Sequence, residues 1–235
     1  MSELIGLERR RTSMRGYRFA SGLLFLFLLG MLCLFAAVPS MEPGEAKEEL
    51  FCSFAGLGTM NNVLSTAAFT ILSAVMASKV VIEEYSGKRA ILLFAYPVSR
   101  RKILAAKLTL VYGYSMLSMA VCAGAAFLLF CLGAFLVPLE AGRPVTADFL
   151  YTGVSLLCDI VTAGALGIVA LWIGFCRKSV SSAVVAAVIL ASAACQLTAV
   201  SFQTPMAALL LTVLAGGAAV LALRGLFFKI EHMEV

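Results

Sequence analysis

The sequence predicts an all-α membrane protein with six transmembrane helices and both termini in the cytoplasm. Of its 235 residues 62% are hydrophobic and 13% are charged, and the mean hydropathy is +1.01. Such a chain has too little polar surface to be a soluble globule. Apolar stretches of about 20 residues then identify the helices that cross the ~30 Å hydrocarbon layer.

Six stretches have that length and few charges. They are residues 19–38, 58–82, 103–137, 149–175, 180–202 and 206–228. The first also resembles a signal peptide, but its apolar run is longer than the roughly 7 to 15 residues usual there. The third is long enough to place Lys107 at the membrane interface. Five or seven spans result if 180–228 is one re-entrant unit or if the third span is broken, and six requires the fewest special assumptions.

The orientation follows from the distribution of basic residues. With the N-terminus inside, 16 of the 18 Lys and Arg residues lie in cytoplasmic segments or adjoining helix ends, and only Lys47 and Arg143 lie outside. Because cytoplasmic loops are enriched in Lys and Arg, both termini are predicted to be cytoplasmic. The net charge of +5 therefore reflects topology and attraction to anionic lipid, and no nucleic-acid partner is expected.

The N-terminal segment, residues 1–18, has an amphipathic pattern. Leu4, Leu7, Met14 and Tyr17 recur at spacings of three and seven with arginines between them. This pattern favours a helix that lies along the inner membrane surface, with its arginines on lipid phosphates. The alternative is an orientation signal with no further role.

Polar residues inside the spans are candidates for a transport path, because they are expensive in lipid and face a cavity or a neighbouring helix. Asp159 is the acid deep in a span, and Asn61, Asn62 and Gln196 are weaker candidates, since amides often only bond between helices. The seven cysteines contain no C-x-x-C pair and are interpreted as packing residues. No catalytic residue and no metal site is predicted.

Small residues predict close helix packing within the chain. They form one run in the fourth span and one in the sixth: Ala163, Gly164, Gly167, Ala170, Gly174, and Gly216, Gly217, Ala218. No repeat or low-complexity segment is present, so residues 1–235 are interpreted as a single transmembrane domain.

Residues 83–102, here called the connector, hold two glutamates and five basic residues around an apolar patch. Gly87 breaks the preceding helix, and 88–95 have room for about two helical turns before Pro97 ends them. Ser99 is placed to cap the next helix, which leaves Arg100 at the membrane boundary. The connector is thus predicted to be a short cytoplasmic helix with an apolar side that fits a partner's groove.

The connector resembles the loop between the second and third spans in permeases of the ABC-2 type ABC transporter family. The residues that carry the resemblance are Glu84, Gly87, Leu92, Leu93, Pro97, Val98, Ser99, Arg100, Ile103 and Lys107. The six-span pattern extends it to the whole chain. The short turn at 203–205 departs from the family, in which re-entrant helices often lie between spans five and six.

The resemblance implies a coupling helix that docks on a separate ATP-binding subunit. Its contact residues would be Glu84, Gly87, Arg89, Leu92, Leu93, Pro97 and Arg100. It further implies two copies of an ABC ATPase, a second permease chain forming a homodimer, and the plasma membrane of a bacterium. ATP and Mg would bind the partner, because Gly87-Lys88 lacks the rest of a G-x-x-x-x-G-K-[ST] loop.

Compact permeases of this kind resemble exporters of antimicrobial, amphipathic or toxin-like peptides, so peptide export is the expected function. The alternatives are export of lipid-linked or small hydrophobic compounds, and a non-pumping immunity protein.

Glu83-Glu84 is also similar to the paired glutamates of CAAX-type membrane proteases. That chemistry needs intramembrane histidines as metal ligands, and the one histidine, His232, is in the tail.

Overall fold

The computed structural model describes Gly6 and residues 14–41, 53–82, 100–136, 146–201 and 205–231. Within these residues the chain forms six long α-helices and no strand. They are α1 (Arg15–Met41), α2 (Phe54–Ala77), α3 (Arg100–Leu136), α4 (Thr146–Cys176), α5 (Val180–Ser201) and α6 (Pro205–Glu231). All six are long and apolar enough to cross a membrane. This confirms the predicted fold class and the number of spans.

The helix ends differ from the predicted spans in informative places. The separate α5 and α6 remove the alternative of one re-entrant unit, and Pro205 begins α6, where its missing N–H costs nothing. Helix α1 already begins at Arg15, so the last residues of the segment 1–18 belong to the first span. Met14 and Tyr17 pack against the buried core, while Leu4 and Leu7 lie outside the described residues.

Helices α2 and α4 form the centre of the bundle. They pack extensively against each other, with α1 and α3 on α2 and with α5 and α6 on α4. In the apolar windows of these spans, 67% of α2 and 50% of α4 are buried, against 17% of α1 and 22% of α5 and α6. The outer helices present many large apolar side chains at the surface, such as Leu23, Leu214 and Leu221, as a chain in lipid requires.

Small residues allow α4 to approach its neighbours closely. A Cβ added to Gly167 would collide with the Ser73 side chain of α2, and one added to Gly174 would lie 2.9 Å from the Cα of Ala183 in α5. The predicted packing role of the run in α4 is therefore confirmed. In α6 the prediction is wrong: nothing in the described structure lies within 4 Å of a Cβ at Gly216 or Gly217, and Ala215 and Ala219 are buried instead.

The end of the bundle next to the connector, here called the connector end, is closed by an apolar cluster. Ile82, Leu104, Phe175 and Ile230 of four different helical segments meet in it. By their places in the helices, the described Lys and Arg residues all belong to this end. The connector end is expected to be cytoplasmic by the positive-inside rule, and this orientation stays a prediction.

Candidate functional site

A polar face of α2 is buried in the middle of the bundle. Its members are Thr59, Asn61, Asn62, Ser65, Thr66, Thr70 and Ser73. Most of the hydroxyls donate to a carbonyl one turn earlier; Ser65 and Thr66, for example, both bond the carbonyl of Asn62 at 2.9 and 2.8 Å. Such back-bonding satisfies the hydroxyl proton within the helix. The hydroxyls of this polar face can therefore be buried even where the neighbouring helix offers no hydrogen-bond partner.

Asn61 and Asn62 join α2 to the helices on either side. The Asn61 Nδ2 donates to the carbonyl of Ala123 in α3 at 3.2 Å. The Asn62 Nδ2 donates to the Ser155 hydroxyl of α4 at 2.8 Å and to the carbonyl of Thr152 at 3.3 Å. Both amide oxygens are buried and have no hydrogen-bond partner among the described residues. These contacts stabilise helix packing, whereas a transport role for the two amides stays a prediction.

A cavity of about 160 Å³ lies between α2, α4, α5 and α6. Its lining includes Thr59, Ser155, Asp159 and Thr198, together with the apolar Val63 and Leu209. These residues come from the starts of α2 and α6, the first half of α4 and the last turns of α5. The cavity therefore lies toward the end of the bundle opposite the connector, here called the cavity end.

Asp159 is the charged residue of this cavity. Its side chain is 7% exposed, and within the described part of the chain no hydrogen bond or ion pair reaches its carboxylate. Burying a carboxylate without a partner costs several kcal/mol, about 2.5 to 3.5 even by the mildest membrane scale. The site is therefore electrostatically incomplete without a proton or a cation.

The predicted transport-path residues do not form one cluster. Asp159 lines the cavity, and Asn62 is joined to it through Ser155. Gln196 is exposed on α5 and is not among the lining residues. Sequence reasoning missed Thr59, Ser155 and Thr198. Ser155 had a signal, since it precedes Asp159 by four residues and therefore lies on the same helix face.

The connector end contains a second buried charge, at Lys107. Its side chain is completely buried, and its Nζ donates to the carbonyl of Val80 at 3.4 Å. Val80 belongs to a π-helical turn, Ser78–Ile82, that continues α2. Lys107 shares a helix face with the buried Leu104 and Val111, so its side chain faces the bundle, and its place at the membrane interface stays a prediction.

Most of the predicted docking residues cannot be placed. Glu84, Gly87, Arg89, Leu92, Leu93 and Pro97 lie outside the described residues, and Arg100 is the first residue of α3. What the structure describes is the pair of helix ends from which the connector emerges. The Lys107 contact joins those two ends, since Val80 lies three residues before the connector and Lys107 five residues after it.

The described cysteines carry free thiols and are spread over several helices. Cys33, Cys122, Cys131, Cys158, Cys176 and Cys195 are free thiols. Among the residues that the structure describes, no group of three His, Cys, Asp or Glu side chains is arranged to hold a metal ion.

The fold and its buried polar centre define a multi-pass helical membrane protein with a small internal cavity. Residues 14–194 match the family model described as ABC-2 family transporter protein. The chain thus belongs to the ABC-2 transporter family, the family of permease subunits of ABC transporters. The family generally works with an ABC ATPase partner.

One curated relative and the solved structures add little to this. The chain is 29% identical over 115 residues to the uncharacterized protein YcbO of Bacillus subtilis, and the match covers 49% of each chain. The match thus spans about half the length of that relative. No solved structure gives a significant match.

Proposed function

We propose that this chain is the membrane half of an ATP-driven exporter that moves amphipathic peptides out of a bacterial cell. The observation that carries the proposal is the way the connector is mounted. Its two flanking helices, α2 and α3, are joined by Lys107 and Val80 and by the apolar cluster around Leu104. A force that a partner applies to the connector would therefore be transmitted directly to α2, the central helix of the bundle.

The partner in this proposal is a separate ABC ATPase in two copies, which binds ATP and Mg. A second copy of the permease completes the transporter as a homodimer. The apolar residues Leu92 and Leu93 of the connector would enter a groove on the ATPase, as amphipathic helices do, while Glu84, Arg89 and Arg100 surround them with charge. Mass measurement of the intact complex tests the copy numbers.

The docking surface is tested by replacing Leu92 and Leu93 together with aspartate. Two buried leucines contribute about 3 to 6 kcal/mol to an interface, so the ATPase should no longer co-purify with the double variant. Membrane insertion should be unchanged, because the connector is predicted to lie outside the lipid. Arg100→Ala is the matched control and should lose much less ATPase. Normal ATPase binding by the double variant would remove the docking assignment.

The substrate class is supported by the character of the bundle. The described helices expose long apolar surfaces, and the cavity combines apolar walls with one acid, as an amphipathic cargo requires. The test is ATPase stimulation of the reconstituted complex by a panel of amphipathic peptides, lipid-linked glycans and small hydrophobic drugs. Stimulation of ATPase activity by peptides supports the proposal. If only lipids or only drugs stimulate it, they are the substrate class and peptides are not.

A non-pumping immunity protein is the competing function of a different kind. It would bind a toxin in the same bundle and would not need an ATPase. Purification of the native complex separates the two possibilities, because an exporter retains a Walker-A-containing subunit and an immunity protein does not. Isolation of the chain without any such subunit, under conditions in which the complex is intact, would contradict the export proposal.

A further inference from the structure

The cavity at the cavity end is open toward the outside of the bundle. Val154 of α4 and Leu209 of α6 both line it, and their side chains are 61% and 52% exposed at the bundle surface. The rim of the cavity thus lies between α4 and α6, on a surface that faces lipid in a membrane-spanning helix pair. A molecule could reach Asp159 from the lipid while its apolar part remains among apolar side chains.

Two hydroxyls of the cavity, those of Thr59 and Ser155, can act as hydrogen-bond acceptors. The Thr59 hydroxyl donates to the carbonyl of Ala55 at 2.9 Å, and the Ser155 hydroxyl donates to the carbonyl of Thr152 at 3.0 Å. Their protons are therefore used within the helices, and the lone pairs that remain on their oxygens are available to a ligand. On Ser155 one lone pair already accepts from the Asn62 Nδ2, and Tyr151 adds a phenol that can donate or accept. With the Asp159 carboxylate, and with no Lys or Arg among the described lining residues, the cavity is suited to a cationic donor.

The size of the cavity restricts the ligand further. A volume of about 160 Å³ is close to that of an apolar cavity that holds one benzene molecule, about 150 Å³. It accommodates an ammonium group with a few methylenes and excludes a folded peptide or a bulky drug. Val63 and Val154 form apolar walls around such a stem.

We propose that this cavity binds a primary alkylammonium group, with Asp159 as its counter-ion, Thr59 and Ser155 as further acceptors, and the alkyl stem pointing toward the rim between α4 and α6. An ammonium has three donors and no acceptor, so it matches an acceptor-lined site. Its role as the recognition point of the exported cargo rests on the proposed function, whereas the binding site itself does not.

The direct test is binding of n-pentylammonium to the full chain in lipid nanodiscs, without ATPase or ATP. Wild-type protein should bind n-pentylammonium with about tenfold to a hundredfold higher affinity than 1-pentanol, since a charge-assisted hydrogen bond contributes about 1.5 to 3 kcal/mol. Pentanoate should bind more weakly than either. Equal affinity for the ammonium and the alcohol, or no binding of the ammonium at all, would overturn the proposal.

Two variants locate the site. Asp159→Asn keeps the volume and removes the charge, so it should abolish the preference for the ammonium and keep weak binding of 1-pentanol. Asp148→Asn removes the same charge from the first turn of the same helix, away from the cavity lining, and should leave the preference intact. Ala208→Leu fills the cavity, keeps Asp159, and should weaken both ligands. An unchanged preference in Asp159→Asn would contradict the assignment.

The source of the ammonium group is determined by competition. A lysine-rich amphipathic peptide and lipid with ethanolamine head groups are each added against bound n-pentylammonium in nanodiscs made of choline lipid. Competition by the peptide identifies a peptide side chain as the natural ligand, and competition by the ethanolamine lipid identifies a lipid head group. Binding that persists while no peptide stimulates the ATPase complex would refute peptide export and leave the site intact.

Discussion

Among the described residues, each end of this bundle buries one charged side chain, and the surroundings of the two differ. At the connector end Lys107 is fully buried and donates to the carbonyl of Val80. At the cavity end Asp159 is 7% exposed, and its carboxylate has no hydrogen-bond or ion-pair partner in the described part of the chain. Within the described structure one charge is therefore satisfied and the other is not.

This difference is consistent with different roles for the two ends. A buried ammonium that donates to a backbone carbonyl of another helix contributes to holding the two segments together. A buried charge without a partner is costly, and a ligand of opposite charge lowers that cost. We therefore expect the connector end to keep α2 and α3 together and the proposed ligand to bind at the cavity end.

The packing around the glycines shows the same contrast. At the connector end a Cβ on Gly174 would lie 2.9 Å from the Cα of Ala183, a backbone atom. At the cavity end a Cβ on Gly58 would meet side-chain atoms only, including the Cγ2 of Thr152 at 2.8 Å. A side chain can move more easily than a helix backbone, so the packing around Gly58 can adjust to an added Cβ more easily than the packing around Gly174.

The largest expected effect is that of Lys107→Glu. It removes a hydrogen bond from a charged donor, which contributes about 1.5 to 3 kcal/mol, and it adds the cost of burying an anion against the carbonyl oxygen of Val80. The variant should lose roughly 10 °C of thermal stability in detergent, or fail to accumulate in the membrane. Thermal unfolding of the purified protein measures the change.

Lys102→Glu is the matched control for that experiment. It makes the same charge change on the same helix, but its side chain is exposed, and surface charges contribute about 0 to 1 kcal/mol. Similar melting temperatures for the two variants would show that Lys107 is not part of the folded core.

A second prediction compares the stability cost of glycine-to-alanine substitutions at the two ends. Gly174→Ala should cost about 1 to 3 kcal/mol, because α5 must shift to make room. Gly58→Ala should cost less, since the atoms that a Cβ would meet there belong to the side chains of Thr152 and Phe127 and not to a helix backbone. Gly153→Ala, with nothing within 4 Å of its Cβ in the described structure, should raise stability by up to about 1 kcal/mol. Thermal melts of the three variants measure the order, and a greater loss in Gly58→Ala would reverse the comparison.

A third prediction separates packing from transport at Asn62. Asn62→Val removes the bonds to Ser155 and Thr152, and hydrogen bonds between membrane helices average about 0.6 kcal/mol each. We expect a loss of about 1 kcal/mol in unfolding free energy and little change in peptide-stimulated ATPase activity. Gln196→Val, exposed on α5, should change neither. Loss of ATPase stimulation in Asn62→Val with an unchanged melting temperature would assign the amide to the transport path.

The sequence predicted the spans well because hydropathy depends on length and composition alone. It could not determine which side of a helix faces inward. The position of Lys107 near the start of a long span indicated its depth, but not that its side chain lies on the buried face with Leu104 and Val111. The buried face of α6 was predicted wrongly, since Ala215 and Ala219 pack and the adjacent Gly216 and Gly217 do not.

The candidate site could be predicted only in part. Asp159 was identifiable because an acid inside a span is rare and expensive. Thr59 and Thr198 were not, because their place beside Asp159 depends on how α2 and α5 pack against α4. The cavity itself depends on how α2 packs against the three consecutive helices α4, α5 and α6, and no local pattern contains that information.

The smallest expected effect is a gain in stability at the connector end, from Lys178→Gly. Lys178 follows α4 and has a φ of 51°, which is strained for a residue with a Cβ. Its N–H donates to the carbonyl of Phe175 and that of Ser179 to the carbonyl of Gly174, which is the helix ending that favours glycine. Glycine should therefore raise the unfolding free energy by up to about 1 kcal/mol, partly offset by its greater freedom in the unfolded chain.

Arg177→Gly is the control for this substitution, because Arg177 is one residue earlier and carries no positive φ. It also removes a basic residue from the same turn, so the two variants have equal net charge and equal expected effects on membrane orientation. A higher melting temperature for Lys178→Gly and a lower one for Arg177→Gly would locate the strain in the backbone. If both variants melt below the wild type, the basic side chains of the turn stabilise it more than glycine does. The stability of the connector end then depends on the surface charges of Arg177 and Lys178 as well as on the buried Lys107.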